Sequence, residues 1–243
     1  MISSGLDGIA SRFSIVPRSV SRVSAIEVII TMVICRMTPS RPGTMLYCEM
    51  PSGLLGVILQ MTMVMMTSIA LTRETERGTM ENLLAMPSSP LEIMMGKVLP
   101  YLAVGAVQVV VVLAASKLLF AIPFTGSMSL LLTAVLVFVL ALVLLGYTIS
   151  TIARTQMQAL QLTFFFFLPS ILLSGFMFPY RGMPGWAQIF GEIFPLTHFL
   201  RITRAVMLKG AELPAVAGEI TWLVAFVALF AGVALVRFRR TLD

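Results

Sequence analysis

The sequence predicts an all-α membrane protein: a polytopic helical bundle of about five transmembrane helices, with a short helix on one membrane face and re-entrant helices on the other. Hydrophobic residues make up 58% of the chain and charged residues only 12%, against about 25% in ordinary globular proteins. The mean hydropathy is +0.97. Polar surface is too scarce to cover a soluble core of this size, so the chain is predicted to lie in a bilayer.

Five apolar runs have close to the ~20 residues that cross about 30 Å of hydrocarbon. They are Ser52–Leu71, Val98–Phe120, Ser129–Ile152, Ala159–Phe178 and Ala217–Val236. Residues 51–243 therefore form the predicted membrane domain. Residues 1–50 are set apart as an atypical segment, either disordered or a surface helix, because their most apolar piece contains Glu27 and is shorter than a span. We also expect no signal peptide, since Asp7 interrupts the start.

A polar stretch, Thr72–Pro90, separates the first two spans. Charged groups near mid-bilayer cost roughly 2.5–3.5 kcal/mol each, so this stretch is predicted to be a loop on one membrane face. Its mixed-sign charges lie beside an apolar stripe at helical spacing, which favours a short amphipathic helix that docks into a partner's groove over a solvated loop. The charges are Arg73, Glu74, Glu76, Arg77 and Glu81, and the stripe is Met80, Leu83 and Leu84.

Two local patterns frame the second and the outer helices. Ser89 is a predicted N-cap, with Pro90 as the first helical residue and Glu92 as the reciprocal acid. After Phe178 the chain is punctuated by Pro and Gly, and Pro195 separates two helical pieces that are too short to span. We interpret these pieces as interfacial or re-entrant helices, with Arg201 and Arg204 on one flank of the second.

The distribution of Lys and Arg predicts the orientation, because positive loops stay in the cytoplasm. One face would hold Arg73, Arg77, Lys97, Arg154, Arg237, Arg239 and Arg240, and the other Arg181, Arg201, Arg204 and Lys209. The bias places Thr72–Pro90 and the C-terminus in the cytoplasm. Basic residues scattered singly in this way fit membrane flanks, so we expect no nucleic-acid partner.

No catalytic constellation is evident. His198 is the only histidine, so it lacks partners for a metal site or a triad, and we interpret it as a helix-surface residue. Gly96-Lys97 lacks the other residues of a phosphate-binding loop, so no nucleotide site is expected. The polar residues in the spans or at their edges include Gln108, Gln156, Gln158 and Gln161. The last two are three apart and are predicted to face the bundle interior, where they either line a pathway or bond a neighbouring helix.

Three stretches resemble the permeases of ABC-2 type transporters. LTRETERGTMENL (Leu71–Leu83) is similar to their cytoplasmic coupling segment, and LLSGFMFP (Leu172–Pro179) with PLTHFLR (Pro195–Arg201) is similar to their fifth span and outer loop. The similarity runs from about Pro51 to Asp243. Residues 1–50 match neither the first span nor the large extracytoplasmic domain that precedes this region in such permeases, so the chain resembles the last five spans of six.

The resemblance implies a subunit of an ATP-driven exporter in the bacterial inner membrane, one that is not itself an enzyme. Two permeases would pair, each docked on a separate ATPase that uses the ATP, so this chain would bind no cofactor directly. Drugs or other small molecules are the implied substrates. The implied coupling residues are Arg73, Glu74, Glu76, Arg77, Gly78, Thr79 and Glu81, and the implied outer re-entrant region is 182–208, with Pro195, Arg201 and Arg204.

Two alternatives stay open. One is a truncated, non-transporting membrane protein or an anchor for a soluble partner. The other is an ion-coupled secondary transporter, a class that usually has buried carboxylates at mid-span and internal repeats. We expect no Asp or Glu within the five predicted spans, which makes this last class the least favoured.

Overall fold

A computed structural model describes residues 46–77, 90–120, 127–178 and 180–240, and the regular structure in these ranges is helical. The helices are α1 (Leu46–Glu76), α2 (Pro90–Phe120), α3 (Met128–Ile152), α4 (Gln156–Leu173), α5 (Gly185–Gly191), α6 (Pro195–Lys209) and α7 (Leu213–Arg240), with a 3₁₀ turn at Tyr180–Gly182. The predicted all-α membrane bundle is therefore confirmed.

Four helices are long and apolar enough to cross a membrane: Leu55–Glu76, Met128–Ile152, Gln156–Leu173 and Leu213–Val236. The fifth predicted span, Val98–Phe120, lies within α2, which is 31 residues long. Only Met95–Val110 of α2 stands out as an apolar helix among the described side chains. As predicted, α2 begins at Pro90. The expectation that residues 1–50 hold no span falls almost wholly outside the described residues.

α1 and α3 form the centre of the bundle. Both are 61% buried over their apolar windows, whereas α4 and α7 are 22% and 17% buried. α1 packs mainly on α3, α4 and α6, and α7 covers the other side of α3. Phe138 of α3 stacks on Phe199 of α6 with ring centroids 4.1 Å apart, so α6 is tied directly to the core.

Small residues bring the central helices close together. A Cβ added at Gly146 of α3 would lie 2.8 Å from Cβ of Thr67 and 3.1 Å from the carbonyl oxygen of Val64, both on α1. Between spans, lipid tails are as apolar as the side chains, so helices associate through such close backbone approach rather than through the hydrophobic effect. Gly146 therefore sets the distance between the two most buried helices.

The first part of the polar stretch is not a separate helix. Thr72–Glu76 continues α1 without a break, five residues past the predicted end of the span at Leu71. The hydroxyl of Thr72 donates to the carbonyl of Ser68, and that of Thr75 to the carbonyl of Leu71, so neither needs water. Both hydroxyls thus bond within the helix. The remainder of the predicted coupling helix, 78–89, lies outside the described residues.

Candidate functional site

The charged end of α1 forms a junction of three helices. Glu74 accepts a hydrogen bond at 2.8 Å from the ammonium group of Lys97, near the start of α2. The Lys97 side chain is only 10% exposed, so this ion pair is partly shielded from water and holds the ends of α1 and α2 together. We call Glu74, Glu76, Lys97 and Gln156 the three-helix junction.

Glu76 extends the junction to α4. Its carboxylate accepts from the backbone N–H of Gln156 at 2.6 Å and also from the Gln156 side-chain amide. Gln156 is the first residue of α4, where backbone N–H groups lack helical partners and the helix dipole favours a negative charge. The end of α1 is therefore bonded to the starts of both α2 and α4.

The other predicted coupling residues divide into two groups. Arg73 and Arg77 are exposed beside the junction, where they are accessible to a soluble partner. Gly78, Thr79 and Glu81 lie outside the described residues. From the sequence alone, Lys97 was used only as one of the positive charges that predict orientation, and Gln156 only as a polar residue at the edge of a span. Neither could be paired with a glutamate, because their separations of 23 and 80 residues carry no periodic signal.

The three glutamines predicted inside spans differ in position. Gln108 is buried, and its side-chain oxygen has no hydrogen-bond partner among the described residues. Gln158 and Gln161 are exposed, so the prediction that they face the interior of this chain's bundle is wrong. Gln158 is exposed because it bonds to the chain at the start of α4: its side-chain oxygen accepts from the backbone N–H of Arg154 at 2.9 Å. Its side chain thus satisfies an unpaired N–H next to the helix start instead of entering the core.

A second polar site lies where α5, α6 and α7 meet. Arg201 of α6 donates to the carboxylate of Glu192 through both terminal nitrogens, and one of them also reaches Glu219 of α7 at 3.4 Å. Its guanidinium carbon lies 4.8 Å from the ring centroid of Tyr180, a cation–π arrangement. We call Tyr180, Glu192, His198, Arg201 and Glu219 the charged cluster.

Two sequence expectations fail in this cluster. His198 is not on the helix surface, because it is 1% exposed and contacts Glu192 and Glu219. The expectation of predicted spans free of acids is wrong at Glu219, which lies within Ala217–Val236. The burial of His198 has a tertiary cause, because another chain segment folds over it and local sequence does not reveal that segment. Glu219, by contrast, can be read directly in the sequence of the predicted span.

Contacts within the charged cluster shift the pKa values of Glu192 and Tyr180. Burial alone would raise the pKa of Glu192, but hydrogen bonds from Arg201 and Tyr180, together with nearby positive charge, hold that pKa below its ordinary value. Burial and the Glu192 carboxylate raise the pKa of the Tyr180 hydroxyl. Glu192 is therefore held as a carboxylate and Tyr180 as a neutral donor, the states in which their hydrogen bond forms.

The remaining outer residues anchor the start and middle of α6. Pro195 is its first residue, as the predicted break implies. Arg204 donates at 3.0 Å to the carbonyl of Gly175, just beyond α4. Gly175 has φ +80°, a conformation that glycine adopts without strain. In the described part of the chain, no group of three or more His, Cys, Asp or Glu residues is placed to hold a metal ion.

The fold and these two sites define a class: a membrane protein whose helix ends form a charged junction at one site and a partly buried polar cluster at another. The sequence profile of the ABC-2 type transporter family matches residues 12–208, most of the chain. This protein belongs to that family. The match begins within the N-terminal segment that sequence reasoning set apart.

Curated relatives agree. The chain is 36% identical over 188 residues to the probable multidrug ABC transporter permease YbhR of Escherichia coli K12, covering 77% of this chain and 51% of that protein. It is 31% identical over 192 residues to the probable multidrug ABC transporter permease YbhS (79% and 51%). It is 34% identical over 196 residues to the inner membrane transport permease YhhJ (78% and 52%). YbhS and YhhJ are also proteins of Escherichia coli K12. The chain thus spans about half the length of these relatives.

Proposed function

We propose that this chain is a permease subunit of an ATP-driven exporter and that the three-helix junction transmits the movement of a separate ATPase to the bundle. One observation carries the proposal: Glu74 and Glu76 join the end of α1 to both α2 and α4. An ATPase that binds one arrangement of these ends more tightly shifts the population of the whole bundle toward it. ATP would be used by the partner, with no cofactor bound by this chain.

The proposed location is the bacterial inner membrane, with the junction and the C-terminus in the cytoplasm. The excess of Lys and Arg on that side supports this orientation. The hydroxyl of Thr148, near the end of α3, lies 3.5 Å from the carbonyl of Phe230 in α7. The C-terminal half of α7 therefore runs beside the end of α3 that leads to the junction, which supports placing both on one face.

A second permease, identical or related, is the other proposed partner. α4 supports this, because one of its faces is exposed and carries Gln161 among large apolar side chains. In hydrocarbon an amide without a partner is costly, whereas a second subunit can supply hydrogen bonds. The printed names of YbhR and YbhS favour drugs or similar small molecules as the exported class.

The test is co-purification from membranes with the ATPase encoded beside this chain, followed by ATPase and transport assays. The variant reverses both charges, Glu76→Arg with Arg77→Glu, and the control Glu212→Arg changes an exposed acid just before α7. We expect wild type and control to recover the ATPase, and the reversed variant to lose recovery or to hydrolyse ATP without transport. Normal recovery and coupling in the reversed variant would contradict the proposal.

A further inference from the structure

Both ring nitrogens of His198 face hydrogen-bond acceptors. Nδ1 is in hydrogen-bond contact with the carboxylate of Glu219. Nε2 lies 3.1 Å from the backbone carbonyl oxygen of Glu192 and 3.6 Å from its carboxylate. A neutral imidazole has one N–H and one lone pair, so it can donate to only one of these acceptors. With Glu219 ionised, only the doubly protonated ring satisfies both sides.

The charges around the ring favour the same form. Glu192 precedes α6 and Glu219 belongs to α7, while Arg201 is the permanent cation and Tyr180 the neutral donor of the cluster. α3, α4 and α5 contain no charged residue, and the charged side chains described on α1 are at its C-terminal end. Two carboxylates and one guanidinium leave a single negative charge, which a proton on His198 neutralises. Arg201 opposes that proton as a like charge, but it donates to the same carboxylates.

Water cannot easily substitute for a missing bond at this ring. His198 is 1% exposed, and its ring centroid lies 5.7 Å from that of Trp222 and 5.8 Å from that of Phe226, both on α7. A buried polar atom left without its partner costs about 1–3 kcal/mol. Loss of the second proton therefore weakens the contact between α6 and α7 directly.

We propose that the protonation state of His198 controls the contact between α6 and α7. When both ring nitrogens carry a proton, the ring donates to both of its acceptors and holds α6 against α7. Protonation favours the docked arrangement, so its contribution to stability is present on the acid side of the histidine titration. The contribution is lost as the pH rises and the ring gives up its second proton. Because α6 also stacks on the core through Phe199, its release would reach α3. This inference does not depend on the identity of the exported compound.

The test uses the fact that His198 is the only histidine of the chain. The full chain, purified with a histidine-free affinity tag and labelled with ¹⁵N-histidine, gives one imidazole signal set by NMR. We expect both nitrogens to carry a proton on the acid side of this ring's titration. As the ring loses its proton, the opening of α6 amides, corrected for intrinsic hydrogen exchange, should rise by up to about tenfold per pH unit.

Glu219→Gln keeps a polar side chain but removes the charge, so the ring should lose its second proton at lower pH. Glu212→Gln, which changes an exposed acid just before α7, should leave the titration unchanged. A ring that keeps a single N–H from about pH 5 to 8 would overturn the proposal. So would an α6 opening that ignores the titration, or an identical titration in Glu219→Gln. The NMR and hydrogen-exchange measurements on the wild-type chain need no substitution at His198, so they do not depend on whether such a variant folds.

Discussion

Arg201 shows how much one side chain can organise in this bundle. Its planar guanidinium pairs with Glu192 through two nitrogens, reaches Glu219 and lies over the ring of Tyr180. Arginine supports this geometry because its donors form a fixed fork and its charge persists at any physiological pH. The 3₁₀ turn, the segment before α6, and α7 are thereby joined to one residue.

The depressed pKa of Glu192 has a consequence for acid stability. A carboxyl group whose pKa is lower in the folded state stabilises the protein above its ordinary pKa of about 4.3, and that contribution disappears as the pH falls through the folded value. We expect Glu192→Gln to unfold more easily than wild type at pH 7, by up to about 1 kcal/mol because the group is partly exposed. The difference should shrink toward zero in strong acid.

Thermal unfolding in detergent across pH measures this difference. Glu212→Gln is the matched control, an exposed acid for which no large effect is expected. A gap between wild type and Glu192→Gln that grows on acidification would mean that the sign of the pKa shift is wrong.

At the scale of elements, α1 runs as one continuous helix from the core to the three-helix junction. Its apolar part is buried against α3, and its last residues carry the charges that bind α2 and α4. Because an intact helix is stiff over such a length, a force on Glu76 reaches the core without an intervening hinge.

The close approach of α1 and α3 at Gly146 leads to a prediction about stability. In Gly146→Ala the new methyl group would lie 3.1 Å from a backbone carbonyl oxygen of α1, so the helices must move apart, at a cost of about 1–3 kcal/mol. Gly232→Ala in α7 is the control, because a Cβ there has no neighbour within 4 Å. It should be neutral or stabilising by up to about 1 kcal/mol, since alanine favours helices.

Equilibrium unfolding of the two variants in the same detergent provides the comparison. Equal stabilities for Gly146→Ala and Gly232→Ala would show that contact between α1 and α3 is not set by this glycine.

At the scale of the whole molecule, burial is uneven. α1 and α3 are enclosed, whereas α4 and α7 expose most of their surface to whatever surrounds the chain. Large apolar side chains suit lipid, but the exposed amides of α4 do not. The two exposed helices are thus expected to have different neighbours, with lipid against α7 and a second subunit against α4.

Cysteine cross-linking tests that difference. With Cys35 and Cys48 replaced by alanine, Gln161→Cys on α4 should give a cross-linked dimer in native membranes. Leu229→Cys, an exposed position on α7, should remain monomeric. Dimers from Leu229→Cys alone would assign the subunit contact to α7 and exclude the proposed face of α4.

The sequence by itself determined the membrane class, the approximate positions of four of the five predicted spans and the start of α2 at Pro90. Each follows from a local rule: apolar runs of bilayer length, the cost of charges in hydrocarbon, and the preference of proline for a helix's first turn. The motifs at Leu71–Leu83 and Pro195–Arg201 also pointed to the family that the profile match then established.

Only the tertiary structure decided which polar groups meet. The partners of Glu76 and His198 are 80 and 21 residues away along the chain, and nothing in their local sequence indicates them. Exposure of Gln158 and burial of His198 were likewise decided by which segments cover them. Helix periodicity predicts which residues share a face, but the neighbour that each face meets depends on how all the helices pack.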